Sequence, residues 1–157
     1  MILDGAVARP IFQPVARRLA QYAEAGGSVV FGILFSSFVS PPNMERLFGD
    51  DCFGLKWQSG DYHRSTFVRY PGSRASFAVG AWPKLVDAYS MKALHLKNVV
   101  RDAKVYVPTE ESRTQSMVFA PERVDQSQCP AVFAPYGGNG GSVGYIGDNN
   151  CEAEAAN

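Results

Sequence analysis

Hydrophobic residues recur at helical spacing near the start of the chain and then give way to an unbroken apolar run. Pro10 suits the first turn of a helix, and Gly26 follows its last turn, where glycine commonly ends helices. The apolar side of this helix carries Ile11, Val15, Leu19 and Tyr22. The next segment, residues 28–35, is short and apolar throughout. The pattern predicts a helix over residues 10–25, followed by a strand that is buried on both faces.

The rest of the chain predicts one short helix and a series of strands. Pro41 and Pro42 open the helix, which is centred on residues 44–48. The predicted strands lie in residues 62–70, 94–107 (two runs), 117–120, 131–136 and 142–146. The last two strands flank a glycine-rich connector, which predicts a C-terminal β-hairpin.

The order of elements at the N-terminal end is that of a βαβ unit. Ile2 and Leu3 read as the end of a strand, and the helix and the buried strand follow them. We therefore expect an α/β fold of three layers with a mainly parallel sheet. Residues 1–150 are expected to form a single domain, and residues 151–157 a short tail.

Composition and charge exclude several classes of function. The 157 residues are 46% hydrophobic, and 15 basic residues balance 15 acidic ones, so the chain carries no electrostatic footprint for nucleic acid. The longest apolar run, residues 28–39, is shorter than the roughly 20 residues that span a membrane. The first residues lack the basic region of a secretory signal, so we expect a cytoplasmic protein.

Cysteine and histidine usage gives no sign of a disulfide framework or of a metal centre. Cys52, Cys129 and Cys151 form no CxxC pair, and an odd, irregular set is typical of reduced thiols. The two histidines exclude a histidine-rich metal site, and no D-x-D-x-D-G calcium loop is present. No cofactor is predicted.

Several stretches together resemble class I glutamine amidotransferase-like domains, which include the ThuA-like and DJ-1-like branches. The resemblance lies in YAEAGGSVVFG (residues 22–32), PAVFA (130–134) and GYIGD (144–148). GDYHR (60–64) and PTEESRTQS (108–116) are similar to fungal members of unassigned function. The resemblance implies a flavodoxin-like sandwich.

The resemblance also implies that the chain is incomplete. Family domains have more strands before the first helix and a helix after the closing hairpin. Two helices are too few to cover both faces of a sheet of five or more strands. We therefore expect truncation at the N-terminal side and an uncovered apolar face, through which the chain would form a homo-oligomer.

The catalytic chemistry of the family is poorly supported by the residues present. Catalytic members place a cysteine on a sharp strand-to-helix elbow, and the position that matches it here holds Leu34. Leucine cannot act as a nucleophile. Ser36 and Ser37 stand close enough to the elbow to be alternative nucleophiles, although helix capping is the plainer role for either hydroxyl.

Asp61, His63 and Ser65 alternate along a predicted strand, so they share one face. An acid, an imidazole and a hydroxyl are the groups of a catalytic triad. However, same-face neighbours on a strand lie about 6.6 Å apart, which is too far for direct hydrogen bonds. A polar rim in which His63 and Arg64 bind a ligand is the better hypothesis.

Loops at the ends of strands supply the other candidate residues. Glu111 and Arg113 lie in a polar loop between strands, and Asp148 directly follows one, although a solvated charge cluster is the alternative. His95 is expected to be a partly exposed strand residue. The predicted ligand-binding residues are Asp61, His63, Arg64, Glu111, Arg113 and Asp148.

Three functions remain open from the sequence. The first is a non-catalytic glutamine-amidotransferase-like domain that binds a small polar ligand or a protein partner. The second is a hydrolase that uses Ser36 or Ser37 with His63. The third is a fragment without independent function. Neither nucleic acid nor a membrane is an expected partner.

Overall fold

The helices lie early in the sequence, and strands dominate the rest. The computed structural model describes residues 1–73 and 85–149. The helices are α1 (Gln13–Glu24), α2 (Leu34–Phe38) and α3 (Pro41–Phe48). The strands are β1 (Ser28–Phe31), β2 (Gln58–Arg69), β3 (Ala88–Lys97), β4 (Lys104–Val107), β5 (Ala131–Tyr136) and β6 (Gly141–Ile146). Short 3-10 turns cover Gly5–Ala8, Pro10–Phe12 and Arg101–Ala103.

The six strands form one mixed sheet in the order β1-β6-β5-β4-β2-β3. Only β1 and β6 pair in parallel, and the other four neighbouring pairs are antiparallel. The prediction of a mainly parallel, flavodoxin-like sandwich of three layers is therefore wrong. Parallel neighbours need long crossover connections, usually helices, and the part of the chain that is described after Phe48 contains no α-helix.

The sheet curls into a half-barrel because its last strand returns towards the hairpin of β5 and β6. The backbone amide of Leu94 on β3 donates to the carbonyl of Gly147, just beyond β6, at 3.1 Å. Leu96 and Cys129 exchange two backbone hydrogen bonds of 2.9 and 3.1 Å. A Cβ atom at position 147 would lie 2.0 Å from the Leu94 oxygen, so this approach requires glycine.

The helices cover one face of the sheet, and α1 does so with its alanines. Ala16, Ala20 and Ala23 are buried, whereas Val15 and Tyr22 are exposed. The prediction of the helix itself is confirmed, but its buried side is not the one expected from the larger apolar residues. Small side chains let the helix backbone lie directly against the sheet.

An aromatic cluster fills the layer between the helices and the sheet. The cluster comprises Phe31, Phe35, Phe48, Phe53, Trp57 and Tyr145. Its rings meet in tilted and edge-on geometries, for example at 5.0 Å between the centroids of Phe48 and Trp57. Such pairs stabilise a core by about 1 kcal/mol each beyond the burial of their area.

Several predicted elements differ from the observed ones. The strand expected over residues 28–35 ends at Phe31, and the chain turns directly into α2. Strand β1 lies at one edge of the sheet, where its free side carries a parallel bridge from Ile2, and Val30 is half-buried. Residues 117–119 form bends, and residues 117–120 contain no strand. The short helix and the C-terminal hairpin are present as predicted.

The opposite face of the sheet carries a second, smaller core inside the curl. Its buried members include Phe67, Met91, Ala93 and Val105. The hydrophobic residues of this second core include none from the three described helices, so these helices and the sheet form two layers instead of the three expected. Within the described residues, no helix has the length and apolar character needed to cross a membrane.

Candidate functional site

The turn between β1 and α2 is a strained elbow. Ile33 has φ 57° and ψ −117°, a combination that is unfavourable for a β-branched residue. Strained residues of this kind concentrate at active sites, and nucleophile elbows place their nucleophile on such a strand-to-helix turn. The sequence had suggested Leu34 for the nucleophile position, but the strained residue is Ile33. Neither side chain is a nucleophile.

Ser36 lies about one helical turn after the elbow, in α2, and its side chain is buried. Its hydroxyl oxygen is 3.0 Å from the carbonyl oxygen of Ile33, and it also contacts the side-chain amide of Asn149. Ser37 is exposed on the same helix. Within the described parts of the chain, no imidazole hydrogen-bonds to Ser36. The contacts of Ser36 are therefore those of a structural hydroxyl at a helix start.

Asn149 links the elbow to strands β3 and β2. Its backbone amide donates to the carbonyl of Lys92 at 3.0 Å, and Lys92 is paired with Arg64 on β2. Arg64 thus lies about two strand spacings, roughly 10 Å, from Asn149. The elbow and the polar part of β2 are therefore neighbouring regions.

Three of the predicted ligand-binding residues, Arg64, Glu111 and Arg113, line one cavity of about 840 Å³. We call this cavity the outer groove; it lies between β2 and the segment of residues 109–121. Its remaining polar lining includes Thr66, Ser112, Thr114 and Gln115. Two arginines and one glutamate give the groove a mixed but predominantly cationic character.

Hydrogen bonds hold the segment along the free part of the β2 edge. The amide of Gln115 donates to the carbonyl of Arg64 at 2.8 Å. The hydroxyls of Ser65 and Ser112 donate to the carbonyls of Arg113 and Thr66, at 2.8 and 3.0 Å. The wall of the groove is therefore attached to its floor at three successive points. Ser65, proposed from sequence as part of a triad face, serves this attachment.

A second hollow of about 680 Å³ adjoins the outer groove and shares Arg64 with it. His63, Tyr62 and Lys92 line this hollow, and the Lys92 ammonium lies 5.1 Å from the centroid of the Tyr62 ring. His63 thus lies beside the groove residues. Lys92 was missed from sequence because only the pairing of β3 with β2 brings it there.

Asp61 belongs to a different cluster at the bulge of β2. Its carboxylate accepts a hydrogen bond of 2.7 Å from the side-chain amide of Gln128 and lies 3.8 Å from the Lys97 ammonium. Its carbonyl is 2.8 Å from Nδ1 of His95. His95 is 1% exposed, so the expectation of a partly exposed histidine is wrong. Nothing in the sequence pattern singled out Gln128.

Asp148 lies apart from both sites, on the face of the sheet away from the helices. It is 8% exposed, and the hydroxyl of Tyr89 donates to its carboxylate at 2.8 Å. The structure therefore collects Arg64, Glu111 and Arg113, places His63 beside them, and leaves Asp61, Asp148 and Ser36 elsewhere. Among the residues described, no three histidine, cysteine or acidic side chains form a group that could hold a metal ion.

No protein-family model matches the chain, and no curated protein or solved structure shows significant similarity to it. Arguments about its function therefore rest on its own residues.

Proposed function

We propose that the chain is a non-catalytic binding domain whose small polar ligand occupies the outer groove. The observation that carries this proposal is the elbow at Ile33, which has the backbone geometry of a nucleophile turn but an aliphatic side chain. Holding a β-branched residue in such a conformation costs about 1–3 kcal/mol. The surrounding structure maintains this strain although the aliphatic side chain of residue 33 cannot attack a substrate.

The chemistry of the outer groove supports a ligand that carries an anionic group. Arg64 and Arg113 each bring a planar guanidinium to the groove, a group that suits carboxylates and phosphates, and Nη1 of Arg113 also donates to the carbonyls of Glu110 and Ser112 at 3.1 and 3.0 Å. Glu111 adds an acceptor that favours a ligand with a donor as well. Amino acids and related carboxylates combine both groups, and they form the ligand class that we propose.

A diverged glutamine-amidotransferase-like ancestry forms part of the proposal. The strand-to-helix elbow agrees with it, whereas the mostly antiparallel sheet lends it no support. The hydrolase alternative gains no support from the contacts of Ser36, since this hydroxyl contacts a backbone carbonyl and an amide.

Calorimetric titration with L-glutamate, succinate and inorganic phosphate tests the binding function. We expect at least one of these probes to bind. Arg64→Gln and Glu111→Gln should each weaken that binding by about tenfold or more, since each removes a charged partner. Arg9→Gln, an exposed change on the N-terminal turn, is the matched control and should bind as the unaltered protein does. Absence of binding by all three probes, or equal binding by the groove variants, contradicts the proposal.

Labelling with a fluorophosphonate tests the absence of an activated serine. The unaltered chain should remain unlabelled at Ser36 and Ser37. An Ile33→Cys variant should become reactive at residue 33 towards iodoacetamide, because the elbow then presents a thiol. Labelling of Ser36 that disappears in Ser36→Ala would establish the hydrolase alternative instead.

A protein partner is the second candidate, and one exposed segment favours it. Met117, Val118 and Phe119 are 105%, 82% and 76% exposed at the margin of the outer groove. Ser116 organises this tip, since its hydroxyl accepts from the amides of Val118 and Phe119 at 3.1 Å. A protein that cross-links to the unaltered chain and to Arg9→Gln, but not to Phe119→Ser, would support this function. Equal cross-linking by all three would count against it.

A further inference from the structure

We infer that the outward side of α1 binds a second copy of this chain. The apolar residues of α1 span about 160° of the helix circumference at about 100° per residue, whereas one packed contact uses a stripe of roughly 100°. The core takes up the alanines of α1. The larger residues Val15 and Tyr22 are exposed, and Leu19 between them is half-buried. Part of the apolar side of the helix is therefore left for another contact.

A groove lies beside this outward side of α1. It has a volume of about 410 Å³ and runs between the helix and the N-terminal segment, residues 1–7, and we call it the N-terminal groove. Its apolar lining includes Met1, Leu3, Val7, Phe12, Val15 and Leu19. The groove thus continues the apolar surface of α1 towards the start of the chain.

Backbone hydrogen bonds hold the wall of the N-terminal groove against the edge of the sheet. The amide of Ile2 donates to the carbonyl of Val30 at 2.7 Å, and the amide of Gly32 donates to the carbonyl of Ile2 at 3.1 Å. This stretch of the β1 edge is therefore already paired, and an added strand has no free backbone to join there. Side chains are left to make the contact.

The surface has the two complementary parts that a symmetric dimer needs. A two-fold interface uses the same patch on both copies, so a protruding residue must meet a hollow of that same patch. Ile11 precedes Phe12 of the N-terminal groove, and Tyr22 lies one turn after Leu19, so exposed residues flank the hollow. The Tyr22 ring packs over Gly27, where a Cβ atom would collide with it, so its position is fixed. Fixed aromatic side chains of this kind are common anchors of interfaces.

The exposed apolar area is large enough for a stable dimer. Six side chains, each 40–78% exposed, supply it: Met1, Leu3, Ile11, Phe12, Val15 and Tyr22. At about 200 Å² for a fully accessible side chain of this size, two copies would bury roughly 1,400 Å², within the range of about 1,200–2,000 Å² for stable interfaces. Among the described residues, Asp4 is the only charged side chain that lines the groove, and its carboxylate accepts from the amide of Ala6 at 2.8 Å. Such scarcity of charge is typical of the core of an interface.

This surface is independent of the proposed function. No residue that lines the N-terminal groove also lines the outer groove or the adjoining hollow. The exposed tip beside the outer groove is a separate patch, and Phe119→Ser removes its aromatic ring. Loss of the dimer and loss of ligand binding are therefore distinguishable results.

Sedimentation velocity of the full chain tests the inference. Between about 1 and 500 μM, it should show a monomer that converts to a dimer as the concentration rises. Val15→Glu should raise the dissociation constant of the dimer by about tenfold or more, because it places an unpaired charge in the contact. Gln21→Glu puts the same charge on the polar side of α1, where the residue is also exposed, and is the matched control. This variant and Phe119→Ser should both dimerise as the unaltered chain does.

Several results would overturn the inference. A chain that stays monomeric over the whole range has no such interface. A dimer that Val15→Glu leaves intact, or that Phe119→Ser or Gln21→Glu dissociates equally well, makes its contact elsewhere. Circular dichroism checks that Val15→Glu keeps its helices. If it unfolds, Ile11→Ser replaces it, since Ile11 precedes α1 and is 78% exposed, and this change must then raise the dissociation constant severalfold.

Discussion

The imidazole rings of His63 and His95 stack inside the curl of the sheet, with their centroids 4.3 Å apart. Nδ1 of His95 lies 2.8 Å from the Asp61 carbonyl oxygen, which can only accept, so this nitrogen carries a proton. Nε2 of each ring is buried without a hydrogen-bond partner among the residues that the structure describes. Burial is the main cause that lowers the pKa of both histidines. Proximity of His63 lowers the pKa of His95 further, to about 4, against the opposing effect of the hydrogen bond that His95 donates to the Asp61 carbonyl.

The histidine pair should make the fold sensitive to mild acid. His95 is neutral in the folded chain down to a pKa of about 4, whereas the unfolded value is 6.5. The unfolded chain therefore binds more protons between these pH values. The contribution of neutral His95 to the free energy of unfolding is fully present above about pH 6.5 and is lost as the pH falls towards 4. The shift corresponds to about 3 kcal/mol. Urea unfolding measured between pH 7.5 and 4 checks this expectation.

His95→Phe provides the control for the acid effect. Phenylalanine keeps the ring beside Phe67, whose centroid lies 5.2 Å from that of His95, but it cannot take up a proton. The variant should lose less stability than the unaltered chain over the same pH range. An identical pH dependence would show that other groups cause the acid sensitivity.

Gln128 should tolerate an apolar replacement better than an acidic one. This buried side chain donates to the carboxylates of Asp61 and Asp125 at 2.7 and 3.0 Å and accepts from the Asp61 amide. Its hydrogen bond is the main cause that lowers the pKa of Asp125, to about 2.

Gln128→Leu removes these hydrogen bonds and should cost about 2–3 kcal/mol. Gln128→Glu also buries a third carboxylate beside two others, so it should cost about 3–5 kcal/mol at pH 7. Chemical denaturation of both variants checks the order. The interpretation fails if the glutamate variant is the more stable of the two.

Two glycines of the C-terminal hairpin, Gly141 at the start of β6 and Gly138 in the preceding turn, allow a matched test of packing. A Cβ atom at position 141 would lie 1.7 Å from the carbonyl oxygen of Ala23, whereas one at position 138 would meet nothing within 4 Å. Gly141→Ala should therefore separate α1 from β6 and cost about 3 kcal/mol. Gly138→Ala should change the stability by less than about 0.5 kcal/mol. Thermal unfolding compares the two, and equal costs would contradict this packing.

The sequence predicted local elements better than their arrangement. The proline start and glycine end of the first helix are local signals, and α1 lies between them. The uniformly apolar run over residues 28–35 is ambiguous, because short apolar segments suit strands and buried helices alike. It divides at Ile33 into β1 and α2. The parallel sheet inferred from this run was consequently wrong.

The candidate site was partly predictable, from one polar loop and from Arg64 on the strand that faces it. Glu111 and Arg113 lie two residues apart in a polar segment and do line one groove. Lys92 and His95 reach their places through the register of β3 against β2, which depends on contacts distant in sequence. The positive φ of Ile33 could not be predicted from its residue type, because isoleucine is common in buried strands.

Replacing Ile33 by glycine tests the strain at the elbow. Glycine adopts positive φ without steric cost, so Ile33→Gly should recover much of the roughly 1–3 kcal/mol held there. The loss of a half-buried side chain and the greater freedom of the unfolded chain offset part of this gain. The variant should be as stable as the unaltered chain, or up to about 1 kcal/mol more stable. Ile146→Gly is the control, because Ile146 is 41% exposed and lies in an ordinary strand, where glycine should cost about 1 kcal/mol. If both variants lose the same stability in urea, the elbow is not strained, and the main support for a lost nucleophile position disappears.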